Sequence, residues 1–375
     1  MKPDRNRLLS TFTKLARIPS PSLKEKKVAE FVLKELRKYS SEIFIDSAAF
    51  ATGGETGNLI IKIPGDSLKK PFLLSAHLDT VAVSGPISPR VTGKAVYSDG
   101  KTILGADCKA GIAIIIETVK SLKENEVSHP PLELVFTISE ENALLGAKNL
   151  DFSLIKSDRG LIFDNEQPFE NIILKAPAAN GFEIKIYGRA SHSGVAPEEG
   201  VSAIKAAAIA VSAMRLGRLD AETTSNIGFI SGGEGINIIP PLVVLKGEIR
   251  SKKEKKIEKT QQQFRKCLQE AIEKYPGKLK PAFEFNSETK FPALGISQSH
   301  PLVKLVSFSM SEMGFKPHFS SSGGGTDANI FSAKGIVTPI LSTGMRLVHT
   351  PREYLDLKDF FNCAELTMRI LKKSS

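Results

Sequence analysis

Apolar residues recur along this chain in two alternating rhythms. Leu8, Leu9, Phe12, Leu15 and Ala16 fall at helical spacing, and the pattern stops at Pro19-Ser20-Pro21. Ser22 and Glu25 have the spacing of a capping box, and Val28, Phe31, Val32 and Leu36 supply the apolar stripe of the helix it would open. Short β-rich runs follow at 43–45, 59–63 and 72–75. A helix begins after Asp107 with Ala110-Gly111-Ile112-Ala113-Ile114-Ile115-Ile116, and the largely apolar stretch at 132–138 predicts a fully buried strand. A short helix is expected at 143–150 and a strand at 161–163. Strands alternating with helices predict an α/β fold, a mostly parallel sheet sandwiched by helices.

The rhythm changes after Pro177. Phe182, Ile184 and Ile186 alternate with Glu183, Lys185 and Tyr187, the pattern of a strand with one wet face. An Ala-rich helix (202–216), strands at 226–230 and 243–249, a charged helix (254–275) and a strand at 282–285 complete the order β-α-β-β-α-β of ferredoxin-like domains. An inserted α+β domain is therefore expected at 179–288, with 1–178 and 289–375 forming the surrounding domain. The latter resumes with a helix at 301–313, a Gly-rich turn, a strand at 337–341 and a helix from Leu357.

Composition narrows the class. The chain has 375 residues, 41% of them hydrophobic and 25% charged, as in ordinary globular proteins of two domains. No apolar run approaches the roughly 20 residues that span a bilayer, so no membrane partner is expected. Met1-Lys2-Pro3-Asp4-Arg5 leads into no apolar segment of a secretory signal, and three scattered cysteines form no pairing pattern, which together suggest the cytoplasm. The net charge of +10 raises the possibility of nucleic-acid binding. However, the densest basic run, Lys252 to Lys256, is interrupted by Glu254, and no nucleic-acid motif accompanies it. A solvated helix face is the better reading, and no nucleic-acid partner is expected.

Candidate chemistry gathers at predicted strand ends. His77 and Asp79 alternate after Phe72-Leu73-Leu74, so both side chains leave the strand on one side. Asp107 stands just before an apolar helix, where a capping role is the ordinary alternative. Glu140 and Glu141 end the buried strand, and Asp164 follows another. His349 follows a strand and a Gly turn. Each alone is commonplace. Two His and several acids at neighbouring strand ends, where open α/β sheets place their ligands, match the inventory of two metal ions sharing a carboxylate. One glutamate of the Glu140-Glu141 pair would ligate while the other acts as general base, which points to a metal-dependent hydrolase.

With these motifs the chain resembles the di-zinc exopeptidases that include peptidase T, aminoacylase, carboxypeptidase G and succinyl-diaminopimelate desuccinylase. The resemblance spans essentially the whole chain. It rests on His77-x-Asp79, Gly105-Ala106-Asp107-x-Lys109-x-Gly111, Glu140-Glu141, Asp164, Gly188-Arg189-Ala190-Ser191-His192-Ser193-Gly194 and His349. It is strongest to peptidase T, through Gly105–Gly111 and Gly324-Gly325-Thr326-Asp327-Ala328. The resemblance implies one ion held by His77, Asp107 and Asp164 and a second held by Asp107, Glu141 and His349, with zinc foremost and cobalt or manganese as alternatives. It implies Glu140 as base and Asp79 as the group orienting His77. The inserted domain would serve as lid and homodimer contact, with His192 stabilising the oxyanion and Asn237 and Arg250 binding substrate.

Cys108 stands where relatives carry Asp, Asn or Ser after a cis peptide bond. It is read as a tolerated small residue, with a soft metal ligand as the alternative. The activity implied is peptidase T-like hydrolysis of short peptides. The alternatives are removal of an N-acyl group from an amino acid at the same metals, and a non-catalytic relative.

Overall fold

The computed structural model describes residues 2–82 and 85–374. They form two compact units: one runs to Ala176 and resumes at Leu294, and the other is Pro177–Ala293.

In the first unit, nine strands among the described residues form one sheet. Its centre is parallel: Leu132–Thr137, Phe72–His77, Gly160–Asn165 and Ile340–Ser342 lie side by side in that order. Antiparallel pairs flank this centre, with Leu59–Ile63 and Glu42–Ile45 on one side and Asn171–Ala176 and Leu294–Gly295 on the other. Every residue of Phe72–His77 and Leu132–Thr137 is buried, so both sheet faces are covered. Helix Ala106–Glu124 packs on the Phe72–His77 and Gly160–Asn165 strands. Gly111 makes that approach possible, since a Cβ there would lie 2.7 Å from Phe163 Cβ.

Helix Arg5–Ala16 packs on the same long helix, and Asp4 caps it by accepting from the main-chain N–H groups of Asn6 and Arg7. Arg7 Nε donates to buried Glu117 at 2.7 Å, tying the two helices together.

Several elements depart from their expected form. The Ser22–Glu25 capping box does not form: Ser22 Oγ donates to Asp79, and Glu25 turns its carboxylate to the main-chain N–H groups of Leu23 and Ser139. The helix expected at 143–150 contracts to Leu145–Lys148, because Ala143 and Leu144 take left-handed φ of 58° and 62°. The strands Phe72–His77 and Gly160–Asn165 each run two residues beyond the expected ends, so His77 and Asp164 lie within them. Helix Asp327–Ala333 and a four-stranded sheet containing Ala95–Tyr97 and Tyr354–Asp356 were not foreseen, since neither carries a long periodic run.

The second unit is an antiparallel sheet in the order Gly217–Asp220, Thr223–Gly232, Leu242–Ser251, Ala178–Tyr187, Ala282–Phe291. Phe182, Ile184, Ile186, Val243 and Leu245 line one face and pack against helices Ala203–Ala213 and Glu254–Lys274. Without the short Gly217–Asp220 strand, the order is β-α-β-β-α-β. The unit is a little wider than 179–288, because its last strand runs to Phe291, which pairs with Ala179.

Candidate metal centre

The parallel strands deliver their polar ends to one place. His77 closes its strand 2% exposed, and its Nδ1 lies 2.9 Å from the Asp79 main-chain carbonyl, so that nitrogen donates. Nε2 faces Asp107 Oδ1 at 3.0 Å. His349, in a left-handed turn (φ 63°), brings its Nε2 to 3.1 Å from Asp107 Oδ2 and 2.8 Å from Glu141 Oε1. Asp107 thus addresses one imidazole with each oxygen. The peptide bond from Asp107 to Cys108 is cis.

Glu140 and Glu141 follow Ser139, whose φ of 48° supplies the turn that two adjacent acids need to point into one site. The carboxylate of Asp79 holds this turn: Oδ1 accepts from the Glu140 N–H at 2.9 Å and Oδ2 from the Glu141 N–H at 3.1 Å. Buried Glu25 adds a second tie, accepting from the N–H and hydroxyl of Ser139, each at 3.0 Å. Asp79 was expected to orient His77. Its carboxylate is 3.4 Å from His77 Nδ1, and its hydrogen bonds serve mainly the glutamate turn.

Ligand atoms within 4.8 Å of one another form three overlapping groups: His77, Asp107, Cys108 and Asp164; His77, Glu140 and Glu141; and Asp107, Glu141 and His349. The electrostatics fit cations. Burial works against a charged His77, yet hydrogen bonds to Asp107 and Asp79 outweigh it and hold the imidazole pKa well above its usual value. Bonds to Asp107 and Glu141 raise His349 to about 10. Burial pushes the carboxyls of Glu140 and Asp164 well up, and the neighbouring acids add to it: Asp164 and Asp327 for the first, Asp107 and Glu141 for the second. In both imidazoles a proton stands between a ring nitrogen and carboxylate oxygens. Metal ions would displace those protons and relieve the crowding of the acids.

A cavity of about 340 Å³ opens beside this cluster. Asp107, Glu140, Glu141, Asp164 and His349 line it together with the Gly-rich segment from Ser322 to Thr326.

The family model described as Peptidase family M20/M25/M40 matches residues 73–373. The chain belongs to this peptidase family. It is 33% identical over 369 residues to the YqjE protein of Bacillus subtilis, with 98% of each chain covered. Aminopeptidase PepT from Bacillus cereus has a similar structure at a TM-score of 0.90 and 31% identity, covering 99% of both chains. A tripeptidase from Staphylococcus aureus gives 0.92 at 31%, covering 100% of this chain and 99% of its own.

In this M20-family peptidase Cys108 is wholly buried, and its Sγ donates to the Phe163 carbonyl. Burial holds its thiol well above the usual range, which keeps it a donor and disfavours the thiolate that ligation needs. Lys109 is also wholly buried, with Nζ donating to the Ile18 carbonyl at 2.6 Å, and burial lowers its pKa to about 7.

In the second unit His192 lies on one exposed segment and Asn237 in an exposed turn beside it, the two joined by the bond from the Ser193 N–H to the Asn237 carbonyl at 2.9 Å. Arg250 lies toward the Ser251 end of strand Leu242–Ser251, whereas that turn continues from its Leu242 end. Its guanidinium is engaged by Glu248, with Nε to Oε1 at 2.8 Å.

Sequence reasoning missed two groups in the first unit. Glu25 escapes notice because its spacing from Ser22 mimics a helix cap. Asp327 is 3% exposed and accepts from Thr137 Oγ1, while its Oδ1 lacks a hydrogen-bond partner. Its only signal in the sequence was the Gly-Gly-Thr-Asp run.

Proposed function

We propose that this chain is a metal-dependent aminopeptidase acting on short peptides, tripeptides foremost. The observation that carries the reading is the Asp107 carboxylate, with one oxygen turned to His77 and the other to His349. His77, Asp107 and Asp164 would hold one divalent ion, and Asp107, Glu141 and His349 the other. Zinc suits this mix of nitrogen and oxygen donors. When bound, such ions supply Lewis acidity toward a scissile carbonyl and lower the pKa of water.

The chain's own groups perform the proton work. Glu140, buried beside both proposed ligand sets, takes the proton of the attacking water and passes it to the leaving amine. Asp79 keeps Glu140 aimed by holding its main-chain N–H, and its carbonyl fixes the ring of His77. The cavity flanked by the Gly-rich segment receives the peptide. His192 is assigned to the developing oxyanion, with Asn237 and Arg250 assigned to the substrate, as the resemblance implies. Arg250 would have to release Glu248 to take part. The similarity to an aminopeptidase and a tripeptidase at 31% identity over nearly the whole chain supports peptides over N-acyl amino acids.

We further assign the inserted unit a lid role and a homodimer contact. Exposed Phe229 and Ile230 on the Thr223–Gly232 strand support an association surface. Light scattering should then give twice the chain mass of 40.7 kDa. A cytoplasmic setting is supported by three free, buried cysteines. Among the described residues no helix is long and apolar enough to cross a membrane.

The deciding experiment is hydrolysis by metal-loaded enzyme, with bound metal measured by elemental analysis. Free amino acids released from tripeptides, and none from N-acetyl amino acids, are expected. The reverse pattern would make the protein a deacylase, and two bound ions with neither activity would make it a non-catalytic relative.

A further inference from the structure

Glu353 is an acid that the proposed chemistry leaves without a task. It is 1% exposed, four residues beyond His349, and its carboxylate is surrounded by main-chain donors. Oε2 accepts from the N–H groups of Leu104 at 2.7 Å and Gly105 at 3.0 Å. Oε1 accepts from those of Ala106 at 2.7 Å and Asp107 at 3.3 Å. These four consecutive donors precede the regular turns of helix Ala106–Glu124, because Asp107 (ψ 108°) and Cys108 (φ −113°) depart from helical geometry, and the carboxylate satisfies buried N–H groups at this kink.

The clamp continues through the main chain. The Glu353 carbonyl accepts from the Ser98 N–H at 3.0 Å, and the Ser98 hydroxyl donates to the Pro351 carbonyl. The Glu353 N–H in turn donates to the Thr350 carbonyl at 3.0 Å, next to His349. Segment 98–107 and segment 349–353 are therefore joined at several points, with Asp107 at the end of one and His349 at the start of the other. Their side chains meet at 3.1 Å.

We propose that Glu353 is a positioning residue of the metal centre: by binding the main chain at Asp107 from within the His349 segment, it sets the separation of the shared carboxylate and the second imidazole. The proposal rests on the di-metal reading above. Glutamine at this position keeps the length but offers one acceptor oxygen and turns an NH₂ group against N–H donors. The ligands would remain, but their geometry would be loosened.

The test is titration of metal-free Glu353→Gln with Zn²⁺ against a chromophoric chelator, with the visible spectrum of the Co²⁺-loaded protein and urea unfolding of the metal-free form alongside. The expected result is a loss of about 10- to 100-fold in metal affinity, together with an altered cobalt spectrum. Arg7→Met provides the control for a purely structural effect, since it removes the ion pair to Glu117 of helix Ala106–Glu124 away from the ligands. It should lower the urea midpoint and leave metal affinity and the cobalt spectrum unchanged.

Wild-type affinity and spectrum in Glu353→Gln would overturn the proposal. So would an affinity loss that Arg7→Met reproduces at equal destabilisation. If Glu353→Gln does not unfold cooperatively, Glu353→Asp keeps the charge with a shorter reach. An intermediate affinity and a shifted cobalt spectrum would then support the role, and wild-type values would refute it. Failure of the wild-type protein to bind metal would overturn the di-metal reading itself, a result distinct from normal binding by wild type and variant alike.

Discussion

His77 and His349 reach opposite oxygens of one buried carboxylate, at 3.0 and 3.1 Å from Asp107. A carboxylate can bridge two cations only if each oxygen faces a different set of donors, and this arrangement meets that condition. Asp164 groups with His77 and Asp107, and Glu141 groups with Asp107 and His349 while also lying within reach of His77. The proposed ligands would thus be shared unequally, and removing different ones should have different consequences.

Asp107→Ala should lose both ions, because both sets use that side chain. His349→Ala should lose one and retain the other on His77, Asp107 and Asp164. Elemental analysis after dialysis would check this, and equal loss in the two variants would contradict the assignment.

Glu140→Gln should keep its metal content and lose turnover by about 10²- to 10⁴-fold, the scale of a missing general base. Its main-chain bond to Asp79 does not depend on the side chain, so the turn should persist. Tripeptide hydrolysis alongside metal analysis is the measurement. Near-normal activity would remove Glu140 from the role of base.

Asp327 predicts a pH effect on stability. Burial raises its pKa from the usual 3.8 to about 6, a bond from Thr137 and the charge of His77 acting against the rise and the charge of Asp79 adding to it. The folded protein therefore binds this proton more tightly than the unfolded chain does. The stabilisation is complete below pH 4 and is lost as pH rises through 6, a difference of about 3 kcal/mol. In chelator-treated protein, wild-type stability relative to Asp327→Asn should fall across that window. Urea midpoints from pH 4 to 7 would measure it, and a constant difference would refute the assignment.

Arg7→Met should destabilise the fold by about 3 kcal/mol, because it leaves the buried Glu117 carboxylate without its cation. Glu117 is 1% exposed and, among the described residues, would retain the Asp4 N–H at 2.9 Å and the Ser121 hydroxyl at 2.7 Å. Arg7→Met with Glu117→Gln should recover part of the loss, which denaturant titration of the three variants would reveal.

Pattern along the chain is enough to specify the layered α/β core, the inserted β-α-β-β-α-β unit and the residue types gathered at strand ends. Periodicity reports burial, and polar residues that end apolar runs at 72–77, 132–138 and 160–165 stand out against it. Tertiary structure alone decided how those ends converge. It directed Glu25 away from a local cap and toward Ser139, turned Asp79 into the holder of the Glu140-Glu141 turn, and brought Glu353 across the chain to the N–H groups of residues 104–107. These three acids serve partners distant in sequence, and a side chain whose partner is a distant main-chain N–H leaves no spacing pattern to read. Local pattern encodes which face is buried, whereas only the assembled sheet determines which donor a buried carboxylate meets.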